Sequence, residues 1–235
     1  MSPVQSLSGV RPLTVEDLEW VLDMGAQRRQ RIAGFAPRFW RPAPDARDRH
    51  REFLRGQIQD PKVVSLRTGR GFVFAVPRGE LLDVDDMAVN DDTCWPFDGA
   101  RLLRAVLERG ELRFVCPVPE PARTQTAVDL GMTLVQSWWH HDLDPESSVV
   151  VVDDPGITVG GVSGRLVEAP PVYEPGGLVL LVSVLKNGAA TAAIERAAAA
   201  RGAVVSVVPR APGEPVDMLV DAGYQRTTDF FTWRR

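Results

Sequence analysis

Gly99 stands where a predicted loop, "DTCWPFD" (92–98), runs into a predicted helix, "GARLLRAVLERG" (99–110). A glycine at such a junction lets an anion approach successive backbone N–H groups and the positive end of the helix dipole. The chemistry this position predicts is binding of a nucleotide phosphate. Its neighbours argue the other way, since Trp95, Pro96 and Phe97 are bulky and Asp98 would set a carboxylate beside a diphosphate. Other reactive residue types are sparse. In "WWHHD" (138–142) a strand puts His140 and His141 on opposite faces, so they cannot share one ion and read as solvent-facing. His50, in a charged helix, also reads as exposed. Cys94 and Cys116 form no CxxC pair, and there is no nucleophile elbow, P-loop or zinc spacing, so no metal is expected.

These residues sit on a chain of 235 residues, enough for one large domain or two small ones. A net charge of -4 gives no electrostatic reason to expect nucleic acid or an anionic membrane as partner. The longest apolar run, "GGLVLLVSVL", is too short to span a bilayer, and the first residues lack a signal-peptide pattern. Reduced cysteines and this N-terminus give a cytoplasmic expectation.

The elements follow from periodicity and caps. Thr14 with Asp17 forms a capping box before a helix with Leu18, Val21 and Leu22 on one face. Asp45 caps a second helix, with Phe53, Leu54 and Ile58 at helical spacing. "KVVSLRT", "GFVFAVPR" and "GELLDVDDMAV" read as three strands with turns between them. After the Gly99 helix come the strand "ELRFVCPVP", a short helix ended by Gly131, and the strand "MTLVQSWWHHDL". "SVVVVDD", "GRLVEA" and "GLVLLVSVL" are further strands. From Gly188 to Gly223 the order of Gly99 to Gly131 then recurs: loop, helix, strand ending in Pro, short helix ending in Gly, aromatic strand. The second copy lacks the two N-terminal helices, so it is expected to pack on the first. The class is α/β, with a mixed, partly parallel sheet flanked by helices.

This order, with the "RPLTVEDLEWVL" opening, the "LLDVDDMAV" strand and the "LGM…WW" ending, resembles the GNAT N-acetyltransferase superfamily. The resemblance covers roughly residues 9–143 and, as a partial second copy, 149–235. It implies a GNAT-like domain at 1–145 and a shorter GNAT-like domain at 146–235 packed on it. It also implies acetyl-CoA as co-substrate, its pyrophosphate on a Q/R-x-x-G-x-G/A loop and its pantetheine arm along the preceding strand. The residues it nominates for the cofactor are Met87, Ala88, Val89, Gly99, Ala100 and Arg101. The spacing from Val89 to Gly99 is retained, while Cys94 and Phe97 replace the family's Gln/Arg and first Gly. "LKNGAA" (185–190) is the alternative loop, with Lys186, Gly188 and Ala190.

In the family a general base deprotonates the acceptor amine, and a Tyr commonly protonates the thiolate. Asp85 is the nominated base, with Asp86 beside it. Strand-edge solubility is the alternative reading for both. The Tyr position is Ala127 in the first copy and Leu219 in the second. "GFAPRFWRPA" (34–43) falls where the family builds its acceptor wall. Phe35, Arg38, Phe39 and Trp40 are either an aromatic, basic ligand wall or a hydrophobic plug, and Arg38 and Arg41 would suit an acidic acceptor. The function implied is acetyl transfer to an amine of a small-molecule or peptide acceptor. The alternatives are a GNAT-like binding or scaffold protein without a working CoA loop, and a self-associating module. A homodimer stays open; neither nucleic acid nor membrane is expected as partner.

Overall fold

The computed structural model describes residues 9–84, 86–144 and 155–234. The nominated base Asp85 and the expected strand "SVVVVDD" lie outside the described residues. Compactness divides the chain into two units. The first comprises 1–28, 50–135 and 230–235; the second comprises 29–49 and 136–229. Neither is a single consecutive stretch.

In the first unit β1 (Arg11–Pro12), β2 (Val64–Arg67) and β3 (Gly71–Arg78) pair antiparallel in that order. The expected third strand is two: β4 (Leu81–Val84) and β5 (Met87–Val89), both paired with β3. Val76 faces Asp83 while Val73 faces Met87. Three steps on β3 thus meet four on the partner between Asp83 and Met87, the signature of a β-bulge. β4 continues the sheet by pairing parallel with β6 (Leu112–Pro117), from Leu82↔Leu112 to Val84↔Phe114. One face carries α1 (Leu18–Ala33) and α2 (Ala46–Gln59), covering Phe72, Phe74 and Ala88 with Leu18, Val21, Leu22 and Leu54. The Thr14–Asp17 capping box starts α1 through a 3-10 turn, as its sequence predicts. α3 (Ala100–Leu107) and α4 (Pro121–Asp129) cover the other face, with Leu102, Leu103, Val106 and Ala127 against Val73, Ala75 and Phe114. Phe53 departs from expectation: it is exposed, and only Leu54 of its neighbours is fully buried.

In the second unit β7 (Thr133–Asp142), through its residues from Ser137, pairs antiparallel with β11 (Ala203–Arg210). β11 pairs parallel with β10 (Leu178–Val184), and β10 pairs antiparallel with β9 (Val162–Val167), which is joined to β8 (Gly156–Val159). β8 was not anticipated from sequence. α5 (Gly188–Ala199) and α6 (Asp217–Asp221) bury Ile194, Ala198 and Leu219 against Leu180, Val182 and Val208. The opposite face is covered by a segment distant in sequence. Residues of the segment 29–49, Ile32, Ala36, Phe39 and Trp40, cover it by packing on Val179, Val205 and Val207. β12 (Gln225–Trp233) begins in this unit and ends in the first, where Phe231 joins the core.

The histidines correct the expectation of exposure. His140 is buried, its ring stacked on Phe39 at 3.9 Å between centroids and hydrogen-bonded to the Thr227 hydroxyl. Burial lowers its pKa to about 3. His141 is half-buried, and its Nδ1 lies 3.1 Å from Glu195 Oε1, which raises its pKa. Tyr224 donates to the same Glu195 oxygen at 2.5 Å. His50 is buried too, with Nε2 2.6 Å from Asp86 Oδ2.

The depressed His140 pKa makes stability fall with acid. A His that titrates near 6.5 unfolded and near 3 folded binds protons preferentially in the unfolded state below pH 6.5. Urea unfolding should therefore lose roughly 2 kcal/mol between pH 6.5 and 5 relative to His140→Gln, which carries no such proton. His141 acts oppositely, its pairing with Glu195 being present below its unfolded pKa and lost as pH rises through the raised folded one. It is common to both chains and cancels in the difference. Equal pH slopes for the two proteins would show that His140 is not buried neutral.

Candidate functional site

Each unit contains one parallel strand pair that parts, and each pair is followed by a strand-to-helix junction. In the first unit the parallel pairing stops at Val84↔Phe114, so β5 runs beyond the bulge without β6 beside it. In the second the pairing of β10 with β11 stops at Leu181↔Val207. There β10 also holds one extra residue against β9, since Val182 faces Gly164 and Val184 faces Ser163. Parted strands leave backbone groups that neither strand satisfies, which is a place for a ligand to pair.

The junction at Gly99 is not a loop. Helical turns begin at Asp92, a 3-10 turn over Asp92–Cys94 and a π-helical turn over Trp95–Gly99, and run without a break into α3. The Ala100 N–H is already donated to the carbonyls of Phe97 and Trp95. The helical run therefore starts seven residues before Gly99 (99 − 92), and its cap is the Asp91 carboxylate, which accepts from the Thr93 N–H at 2.9 Å. Those turns bury Trp95 behind Gly99. A Cβ on Gly99 would collide with Cε3 of Trp95 and lie 3.1 Å from its Cζ3. Any side chain at position 99 would therefore meet the Trp95 indole. Asp98 is buried and paired with Arg70, at 3.0 Å from Nε and 2.9 Å from Nη2. Its charge is thus neutralised internally. Phe97 is exposed.

Met87, Ala88 and Val89 line up after the bulge as the resemblance implies, and all three are buried. Arg123 of α4, with no exposed surface, donates from Nη1 to the Met87 carbonyl at 2.7 Å. Arg101 lies on the first turn of α3, with Nη1 beside Gly9. Ala127, at the family's Tyr position, is fully buried.

The junction in the second unit is built differently. Asn187 has extended backbone and caps α5, its side chain accepting from Ala190 N–H at 2.9 Å. The N–H groups of Gly188 and Ala189 precede the first intrahelical bonds. Among the described residues, nothing beyond its chain neighbours and its own helix lies within 4 Å of where a Cβ on Gly188 would be. Lys186 lies across the β8–β9 turn, where a Cβ on Gly161 would collide with its Nζ and stand 2.9 Å from its Cε. Gly160 and Gly161 hold φ of 59° and 78°, which lets the turn approach both Lys186 and Ala190. The two helix starts thus differ in sign: acidic at Asp91 and Asp92, neutral to basic at Lys186 and Asn187. Leu219, at the Tyr position here, is buried and apolar.

The aromatic stretch contributes two residues to the core. Phe39 and Trp40 are buried against β10 and β11, Phe35 packs at their edge, and Trp40 meets Tyr173 at 5.2 Å between centroids. Arg38 donates to the carbonyls of Leu143 and Val204. Arg41 donates to the Glu174 carbonyl. Of the alternatives left open for this stretch, the hydrophobic plug describes Phe39 and Trp40. The sequence did not mark Arg123 as important; its "PEPART" context reads as a helix start. Cys94 and Cys116 are buried free thiols. Among the described residues no cluster of His, Cys, Asp and Glu could hold a metal, and no helix is long and apolar enough to cross a membrane.

No family profile and no curated protein matches the chain. Solved structures do. A candidate acetyltransferase of Thermoplasma acidophilum superposes with a TM-score of 0.58 at 10% identity, over 96% of this chain and 99% of that one. A GCN5-related N-acetyltransferase of Sphaerobacter thermophilus gives 0.55 at 11% identity, over 95% and 94%. A candidate acetyltransferase of Pyrococcus horikoshii gives 0.54 at 12%, over 100% and 92%. The chain has the mixed α/β fold of the GCN5-related N-acetyltransferases.

The two junction glycines make opposite predictions. Gly99→Ala should lower the unfolding free energy by about 1–3 kcal/mol through overpacking against Trp95. Gly188→Ala should stay within about 0.5 kcal/mol of the parent, its methyl meeting open space. Denaturant titration of both variants decides it; a neutral Gly99→Ala would mean that Trp95 does not fill the site.

Proposed function

We propose that the protein is an acetyl-CoA-dependent N-acetyltransferase acting on an amine of a small molecule or peptide, with the acyl-CoA held by the second unit. The observation that carries the reading is the conjunction in β10 and α5: pairing with β11 that ends at Leu181↔Val207, a bulge before Val184, and a helix start at Gly188 that no other described residue crowds, with Lys186 lying over Gly161 of the adjoining turn. The acetyltransferase fold shared with the Thermoplasma and Sphaerobacter structures supports the reaction class.

The residues fit a diphosphate. The N–H groups of Gly188 and Ala189 are the first of α5 and have no intrahelical acceptor, the neutral Asn187 cap adds no repulsion, and Lys186 one residue before the cap supplies a cation. Acetyl-CoA supplies a thioester whose carbonyl carbon an amine attacks, so that the N–C bond forms, the C–S bond breaks, and the CoA thiolate leaves as the thiol with the proton that the amine gives up. The exposed edge of β10 at Ser183 and Val184 offers backbone for the pantetheine arm. The first-unit residues Gly99, Ala100 and Arg101 lack the outward N–H groups this task needs, because their turn is internally bonded at Ala100. Asp85 belongs to the first unit's part of the chain, so with the cofactor in the second unit it is not assigned the amine proton.

One observation favours a binding protein without catalysis. Ala127 and Leu219 are both buried apolar residues where the family commonly has its proton-donating Tyr. Titration calorimetry with acetyl-CoA, followed by thiol release in the presence of amines, separates the readings. Saturable binding is expected, weakened about tenfold or more by Lys186→Glu and unchanged by Arg101→Glu. No binding at millimolar acetyl-CoA would overturn the proposal; binding without thiol release for any amine tried would favour the binding protein.

A further inference from the structure

The opening between β5 and β6 in the first unit is already filled by the protein. Arg123 enters it from α4, two residues beyond Pro121, with its guanidinium carbon 4.5 Å from the Phe114 ring centroid and 5.1 Å from that of Trp95. Phe114 is the last β6 residue paired with β4, and Met87 is the first residue of β5 beyond the bulge. The Arg123 Nη1 bond to the Met87 carbonyl therefore satisfies a group that β6 would have satisfied had the strands stayed together.

A buried guanidinium needs support, and the surroundings supply it. Glu120 Oε2 lies 3.6 Å from Arg123 Nη1 and is itself held by Arg28, through Nε at 3.1 Å and Nη2 at 2.9 Å. Two ring faces take the flat sides of the cation. Cys116 beside it stays a neutral thiol, burial pushing its pKa up to about 12. Nε and Nη2 of Arg123 have no hydrogen-bond partner among the described residues. Such a residue is costly to keep inside a core unless its place is fixed by something the fold needs.

We propose that Arg123 is a permanent internal ligand of the first unit: it occupies the gap between the parted strands, bonds the carbonyl that a bound pantetheine amide would bond, and leaves no room there for acyl-CoA. Trp95, seated over Gly99, closes the same gap from the helix side. The first unit is then a self-filled copy of a binding fold, and one chain takes at most one acyl-CoA. This does not depend on whether the second unit binds acyl-CoA.

Hydrogen exchange of the full chain, read by mass spectrometry with coenzyme A as probe, tests it. Millimolar coenzyme A should leave exchange over 84–90 and 112–118 unchanged, whatever it does at 185–190, which reports on the second unit alone. Arg123→Met keeps much of the volume but has no donor, and should raise exchange at 87–89 about tenfold, the factor associated with one lost buried charged hydrogen bond. Should that variant not fold, the side-chain N–H signals of Arg123 in the parent protein give the second measurement: slow solvent exchange, unaltered by coenzyme A, is expected. Protection of 84–90 by coenzyme A, exchange in Arg123→Met equal to the parent, or fast-exchanging Arg123 N–H groups would each overturn the proposal.

Discussion

Two parallel strands that part leave carbonyl and N–H groups facing each other across a gap too wide to bridge, and a buried gap of that kind must be filled by something polar. This chain faces the constraint twice. In the first unit the answer is internal: Arg123 bonds the Met87 carbonyl, while Trp95 and Phe114 supply the walls. In the second the strand ends in exposed residues, Ser183 and Val184, ahead of the α5 start, where no other described residue crowds Gly188. The same backbone geometry is thus surrounded differently in the two units.

The closure explains several residues together. Trp95 can sit behind α3 because position 99 has no Cβ, and the helical turns begin early, at Asp92, because they carry Trp95 inward. Once those turns are formed, Asp98 is buried and its charge is held by Arg70. Arg28 on α1 in turn fixes Glu120, whose carboxylate lies beside Arg123. One filled gap ties α1, α3, α4 and the bulged strand into a single arrangement.

The second unit is covered by a segment distant in sequence. An uncovered sheet face of Val179, Val205 and Val207 would be strongly unfavourable in water. Residues 29–49 cover it, bringing Phe39 and Trp40 onto the strands and burying His140 against Phe39. Phe39 and Trp40 thereby form part of the core, and the lowered His140 pKa follows from its burial.

Local chemistry was legible in the sequence wherever it is enforced within a few residues. The Thr14–Asp17 capping box, the apolar face of α3, the glycines ending α4 and α6 (Gly131 and Gly223, φ of 76° and 84°), and the mixed α/β order follow from propensity, period and backbone sterics. Gly99 was legible as a special position, but its reason was not. Whether a glycine admits a phosphate or an indole depends on which side chain reaches it from another turn, here Trp95. The same limit hid Arg123, whose importance comes from Met87, 36 residues away in sequence, and hid the burial of His50 and His140, which depends on what covers their strands and helices. Sequence determined the elements and the fold they resemble; tertiary structure decided what lies against each strand end and helix start, because those surroundings are made by residues brought together from distant positions along the chain.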